Sequence, residues 1–430
     1  MRSCLILSPH FPPSTLAGVH RARHLAKHLP AFGWQPTVIC VDPRYHIEKL
    51  DPELARLVPT TTKIVRTGAI PVRLTRPFGV AGDIGLRGYF YLRAAVAREM
   101  ARKQADVVLI TGSPYYPMLM AGWIRQRWNV PVVLDFQDPW VSQAGAEKRP
   151  WSKAGISHCL AIGLEPRAVQ SADFITSVSE RQNDELAARY PWLDRTRMAA
   201  IPIGGDPEDF VALRGFAPRD RSEIQCVTFS YVGTALPRSE MLFRALFRGL
   251  ACCCARNPDL STRFHFRFVG TSNQPNDSTT LRVRPLAESE GMVDLVSEEP
   301  ARVPFLDALR ILATTDVVLM IGSDEPHYTA SKIYPGLMSG RPFLSIFHRM
   351  SSSHEILTRA GGGLALAFST AEELKVLIPA IAEGLERLVT HPSAYGQAAP
   401  EAYAQFTAHA VAGQFVDVFE RAAQWRHLIG

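Results

Sequence analysis

Short apolar runs alternate along the chain with stretches in which apolar positions return every three or four residues. In the first half the runs are CLILSPHF, PTVICVD, TKIVRTG, DVVLITGS, PVVLDFQD, DFITSVSE and MAAIPIGG. Helical periodicity lies between them at 16–31, 87–103 and 118–128. Strands that are apolar throughout, rather than on alternate residues, predict a parallel sheet covered by helices on both faces. The stretch from Gly204 to Ser222 is rich in Gly, Pro and charge and predicts a linker. The alternation then restarts with VTFSYVG, FHFRFVG, MVDLVSEE, DVVLMIGS, PFLSIF and GLALAF. The expected fold class is therefore α/β, with two tandem Rossmann-like, doubly wound domains facing a central cleft. The predicted boundaries are 1–204, a linker at 205–224, a second domain at 225–400, and a last helix within 401–430 packing back on the first domain.

A length of 430 residues exceeds what one core usually serves, which agrees with two domains. With 47% hydrophobic and 20% charged residues the composition is that of a globular protein. No apolar run approaches the roughly 20 residues needed to cross a bilayer. MRSCLILSPHFPP reads as a first buried strand rather than a signal peptide, so a cytoplasmic protein is expected. Seven cysteines, none in a CxxC pair, predict neither a zinc site nor a disulfide framework. Net charge is +6, and the excess is local: 56–103 holds ten Lys/Arg against Asp83 and Glu99. Phe78, Leu86, Tyr89, Phe90, Tyr91 and Leu92 are interleaved with them. Such a segment suits an anionic membrane surface, placing the protein at the inner face of a membrane, or an anionic substrate. A solvated helix face explains it equally well. Nucleic acid is not expected, because no binding motif accompanies the charge.

Chemistry is expected where strands end. At Tyr231-Val232-Gly233-Thr234 a strand runs through Gly into a helix near Arg238, and Gly permits close backbone approach. The stretch DVVLMIGSDEPHYTASKIYPGLM raises a sharper question, since Pro335-Gly336 are the two worst helix formers inside a helical pattern. With Ser331 or Thr329 as N-cap, Pro335 falls in the first turn, where no N–H has an intrahelical partner. The remaining first-turn N–H groups and Lys332 would then form a diphosphate site, the alternative being a solvent lysine.

The ordered set PHFPPSTLAGVHRARHLAKHL, IPIGGDPEDF, FSYVGTALPR, RVPFLDALRILATTDVVLMI and SKIYPGLMSGRPFLSI resembles GT-B retaining glycosyltransferases of the group 1, family 4 type, over nearly the whole chain. The resemblance implies a metal-independent transferase that takes a nucleotide-sugar co-substrate, with no further cofactor, and a glycan, lipid-linked or small-molecule acceptor. It implies that Gly18 and Gly233 with Thr234 approach the donor phosphates. Arg238 and Lys332 would neutralise the leaving diphosphate, Val303 would lie near the base, and Ser331 and Ile333 would belong to the donor loop. The family's paired glutamates fall on His327 and Pro335, neither acidic here, which leaves Glu355 to bind the ribose hydroxyls and His327 to bond a sugar or phosphate. DFQDPW resembles the DFRDPW of one branch. Asp138 is then a catalytic candidate, or else a loop cap, while Tyr115, Gln137 and Trp140 are acceptor-side candidates.

His20, His24 and His28 recur at helical spacing, but Arg21, Arg23 and Lys27 crowd them with charge, so an exposed helix face is expected rather than a metal site. Phosphorylase chemistry would need a pyridoxal lysine motif that is missing, and epimerase chemistry would need acids in the cleft. The alternative from another class is a non-catalytic scaffold that has lost the paired glutamates.

Overall fold

A computed structural model describes residues 1–76, 82–213, 226–272, 277–326 and 330–429. The chain divides into two compact units, Met1–Ile203 with Ala408–Gly430, and Gly204–Thr407.

The first unit is built on a parallel sheet in the order β3-β2-β1-β4-β5-β6-β7. Its strands are β1 (Arg2–Leu7), β2 (Trp34–Val41), β3 (Lys63–Thr67), β4 (Val107–Gly112), β5 (Val132–Phe136), β6 (Phe174–Ser177) and β7 (Met198–Ala200). The helices are α1 (Val19–His28), α2 (Ile84–Arg102), α3 (Ala121–Trp128), α4 (Lys153–Gln170) and α5 (Glu180–Arg189). Asp83, Ser152 and Ser179 start α2, α4 and α5 by accepting from a first-turn backbone N–H. One face of the sheet packs under α2, α3 and α4 through Leu92, Val96, Ile124, Ala168 and Val169. The other face packs under α1 and the last helix through Ala22, Leu25, Val411, Phe415 and Phe419.

The second unit has a parallel sheet in the order β10-β9-β8-β11-β12-β13. These are β8 (Val227–Val232), β9 (Phe264–Val269), β10 (Val296–Glu299), β11 (Val317–Ile321), β12 (Phe343–His348) and β13 (Gly363–Phe368). Its principal helices are α6 (Glu240–Arg256), α7 (Phe305–Thr314), α8 (Ile333–Met338), α9 (Ser352–Ala360) and α10 (Ile378–Thr390). The last helix, α11 (Ala408–Ile429), returns to the first unit, as the periodicity predicts. No helix among the described residues is long and apolar enough to cross a membrane. None of the seven cysteines is in a disulfide, and Cys253 of the triplet fills the core under α6.

One sequence expectation changes here. The α1 face carrying His24 and His28 is not exposed, since both are buried together with Arg21 and Arg23. The cover comes from α11, where His409 meets both the His28 and Phe32 rings. Arg21 is fully buried and anchors the first unit. Its Nε lies 3.2 Å from Asp135 Oδ2, and its terminal nitrogens donate to Pro202 O (2.8 Å) and Ile201 O (2.5 Å). Asp135, also fully buried, accepts from Thr111 Oγ1 (2.7 Å) and Thr176 Oγ1 (2.8 Å). The guanidinium stacks 4.9 Å from the Phe415 ring centre, so one side chain ties α1, β5, the chain after β7, and α11.

Removing one partner of such a buried pair costs about 3–5 kcal/mol, because the other charge is left uncompensated. Asp135→Asn is therefore expected to lower stability by about that amount in urea unfolding. The double variant Arg21→Met with Asp135→Leu is expected to lose less than Asp135→Asn alone.

Candidate functional site

The opening puzzle of Pro335-Gly336 resolves locally. Pro335 is the third residue of α8, where its missing N–H would have no intrahelical partner. Gly336 lets α8 press on β11: a Cβ there would stand 2.5 Å from Met320 Cε and 3.5 Å from Val318 Cγ1. The helix start differs from the sequence expectation. Lys332, not Ser331, is the capping residue, no side chain caps the turn, and Ser331 is exposed. The first-turn N–H groups are not free, since Ile333 N donates to Ala330 O (3.1 Å) and Tyr334 N to Ser331 O (3.3 Å). Ile333 points into the core, fully buried, so its side chain is structural. His327 and the alternative cap Thr329 lie outside the described residues, as does Phe78.

What the α8 entry does supply is Lys332. Its Nζ donates to Tyr231 Oη and sits 4.1 Å from the Tyr231 ring centre. The Tyr231 hydroxyl donates in turn to Thr234 O (2.7 Å). Gly233 has φ +132°, and a Cβ there would come 3.7 Å from Lys332 Cδ. Lys332 and Thr234 thus meet at one hydroxyl, with Gly233 against the Lys332 stem, and sequence reasoning passed that hydroxyl over because Tyr231 reads as an ordinary strand residue. Gly270 joins them at the end of β9: a Cβ there would lie 3.9 Å from Gly233 N and Ala301 O, and 4.0 Å from Arg302 Cα. Val303 follows directly in that loop. Burial pushes the Lys332 ammonium down to about 7.

Arg238 stands at the carboxyl edge of the same sheet, but it is not a free cation. Its Nε donates to Asp324 Oδ1 (2.6 Å) and a terminal nitrogen to Glu325 Oε1 (3.0 Å). The two acids are in the sequence at DEP, yet only the parallel pairing of β8 with β11 brings their loop to Arg238. Glu355 is exposed on α9, beside a depression lined by Arg349, His354 and Arg359. That helix is tied to the α8 approach, where Ala330 N donates to Ser353 Oγ (3.0 Å).

In the first unit, Gly18 is the capping residue of α1. Gln137 Nε2 donates to Gly18 O (3.2 Å) and Thr111 Oγ1 (2.7 Å), while its buried Oε1 has no partner among the described residues. Tyr115 stacks on Trp140 (5.4 Å between ring centres, 13° between planes) and donates to Asp138 O (3.0 Å). The acceptor-side candidates and Asp138 are therefore neighbours after β4 and β5. Asp138 is exposed at the residue level yet flanked by protein, which pushes its carboxyl above the usual carboxylate range.

A second cluster went unread in the sequence. His10 Nδ1 (3.2 Å), His46 Nδ1 (2.8 Å) and Ser14 Oγ (2.5 Å) all reach Glu48 Oε1. Burial works to raise the Glu48 carboxyl, but the hydrogen bonds from His10, His46 and Ser14 outweigh it and hold the group well below its ordinary value. The HxE spacing at 46–48 was the available signal. The ligand atoms of His10, His46 and Glu48 lie within 4.8 Å of one another, the one such group among the described residues. The His20/24/28 face does not form one: His20 and His24 meet Arg23 instead.

Residues 17–204 match the model of a glycosyl transferase 4-like domain. Among solved structures, the UDP complex of Anabaena Alr3699/HepE is similar at 14% identity and TM-score 0.60, over 98% of this chain and 100% of that one. A glycosyltransferase from Rickettsia africae ESF-5 is similar at 13% identity and TM-score 0.59, over 98% of both chains. The α,α-trehalose 6-phosphate synthase of Burkholderia multivorans gives 13% identity and TM-score 0.59 over 99% of both. No curated protein sequence matches the chain. At these identities the solved structures speak for the fold.

Lys332 has a folded value of about 7 against an ordinary 10.5, so between these limits the unfolded chain binds more protons than the folded one. Stability therefore rises with pH across that window. Lys332→Met removes the effect, and its gain in melting temperature over the parent is expected to be larger at about pH 6 than at about pH 10, by scanning fluorimetry.

Proposed function

We propose that this chain, whose first unit is a glycosyl transferase 4-like domain and whose two units have the GT-B fold, is a retaining glycosyltransferase that uses a nucleotide-sugar donor. The observation that carries the proposal is the convergence of Lys332, Tyr231, Gly233, Gly270 and the 301–302 loop at one edge of the second sheet. Backbone that can be approached closely, beside a single amine, suits a diphosphate. The neighbours' own complexes, with UDP in one case and UDP-glucose in another, support a donor of this class.

In the proposed reaction the bond from the sugar's anomeric carbon to the diphosphate oxygen breaks. The acceptor oxygen bonds to that carbon on the same face, and the acceptor proton passes to the leaving diphosphate. Lys332 stabilises the charge that develops on the diphosphate, which favours departure over return. Arg238, bridged by Asp324 and Glu325, holds the loops after β8 and β11 in register and turns to the diphosphate only by exchanging a carboxylate for it. On the acceptor side, Gln137 Nε2 bonds Gly18 O and Thr111 Oγ1 and so fixes the start of α1 against the end of β4. His10, fixed through Nδ1 by Glu48, offers its other ring nitrogen at the end of β1. Asp138, Tyr115 and Trp140 line the ends of β4 and β5, where a ring of an acceptor sugar can stack. The acceptor is a glycan, a lipid-linked saccharide or a small molecule, and no metal is required.

A second reading, a non-catalytic nucleotide-sugar binding scaffold, is favoured by two observations. Pro335 stands where the family's ribose-binding glutamate would, and Arg238 is already paired.

Titration calorimetry against UDP, GDP, ADP and their sugars is the test. At least one donor is expected to bind, and Lys332→Ala is expected to weaken it about 10- to 100-fold, the range for one hydrogen bond to a charged group. Silence across the whole panel, or a Lys332→Ala variant that binds like the parent, rules the site out. Binding without transfer or slow donor hydrolysis selects the scaffold reading.

A further inference from the structure

The helical layer over one face of the first sheet carries an outer surface that a free globular protein has no reason to keep. α4 buries Ala161, Ala168 and Val169, but Ile156, Leu160 and Ile162 are 50%, 49% and 52% exposed. Trp151, just before the helix, is 91% exposed. Cys159 and Gly163 share the side of Ile156 and Leu160, and a Cβ at Gly163 would meet nothing within 4 Å. On α2, in the same layer, Phe90 is 70% exposed.

The charges around these residues are mostly of one sign, exposed Glu147 beside Lys148 being the exception. Exposed Lys148, Arg149, Lys153 and Arg167 flank the apolar side of α4, while Arg93, Arg98 and Arg102 are exposed on α2 and Arg127 on α3. The acids of these helices are turned inward. Glu165 of α4 is buried, accepts from Tyr190 Oη (3.0 Å) and Val141 N (2.9 Å), and is paired with Arg189. Glu99 of α2 is buried between Lys63 and Arg102. Three successive helices thus show water no exposed acid among their described residues. α5, next in the chain, differs: its Glu180, Asp184 and Glu185 stay at the surface in ion pairs with Arg195 and Arg181.

Apolar side chains led by a tryptophan and bordered by an excess of cations match the interfacial zone of an anionic bilayer. We propose that this surface docks the protein on a membrane rich in anionic lipid. Trp151, Ile156 and Leu160 enter the boundary between headgroups and acyl chains, and Lys148, Arg149, Lys153 and Arg167 lie against the phosphates. The sequence-based expectation put such a surface at 56–103. The docking element is instead centred on 148–167, with Phe90 and the α2 arginines in the same helical layer. A second copy of the chain is the competing occupant, but a rim of Lys148, Arg149, Lys153 and Arg167 against the one acid Glu147 repels its own image across a twofold interface.

Flotation of the full chain with vesicles tests this without any donor. Binding is expected to vesicles containing phosphatidylglycerol, to be much weaker to phosphatidylcholine alone, and to fall with added salt. The triple variant Trp151→Ser, Ile156→Ser, Leu160→Ser alters exposed positions only and is expected to keep its melting temperature. Its partitioning into anionic vesicles is expected to drop about tenfold or more, from the lost apolar insertion. Absence of binding to anionic vesicles at low salt, or equal binding by the triple variant, overturns the proposal. So does a dimer in solution that the triple variant dissolves while vesicles leave the parent unbound. Nucleotide-sugar titration of the same triple variant is expected to match the parent, which separates a failure here from a failure of the transfer reading.

Discussion

The first unit depends on a charge taken out of water and fully answered. Arg21 has no access to solvent, so its guanidinium must find every partner inside the protein. It finds Asp135 on the interior strand β5, two carbonyls at 201 and 202, and the face of Phe415. Asp135 is completed by two threonines from the strands on either side of it. Each contact comes from a different part of the chain, so the set closes only when α1, β4, β5, β6 and α11 are all in place. Buried ionic groups add little net stability, but they penalise every arrangement in which one of them is missing. That penalty accounts for a last helix that crosses more than two hundred residues of sequence to rejoin the unit where the chain began.

The second unit reaches order differently. Its core between α6, α10 and the sheet is aromatic and aliphatic, with Phe229, Tyr231, Phe243, Phe247, Phe266 and Phe268 packed ring to ring. The polar groups of the candidate site lie at the carboxyl edge, where loops from β8, β9, β10 and β11 meet. Tyr231 belongs to both regions. Its ring is core and its hydroxyl is site, so the amine of Lys332 is aligned by the same residue that fills the interior. A rigid aromatic with a polar tip is suited to this, because packing fixes the ring and the ring fixes the tip.

Much of this was legible in the sequence, and the reason is periodicity. The strands and the helices between them follow from apolar runs whose physics is local, as does the placement of Pro335 in a first helical turn. Gly336 was anomalous from propensity alone, but its use, contact with Met320, required knowing which strand the helix covers. The misses were all long-range. His24 and His28 looked solvent-facing because their neighbours are arginines, and nothing near them in sequence announces a cover supplied by α11. Arg238 looked free because the acids that bind it are more than eighty residues away. The Glu48 cluster draws His10 and Ser14 from one loop and His46 from another, a meeting that only the pairing of β1 with β2 produces.

A lysine poised to titrate near neutrality gives its surroundings a property that a fully ionised one would lack. Burial brings Lys332 down to about 7, so near neutrality it exchanges between ammonium and neutral amine. An anion settling beside it stabilises the charged form, so arrival of the anion draws a fraction of a proton from the buffer and departure returns it. Occupancy and proton inventory become one equilibrium, and the heat of occupation then varies with the ionisation enthalpy of the buffer. The charge on Lys332 is thereby coupled to any anion that stands beside it.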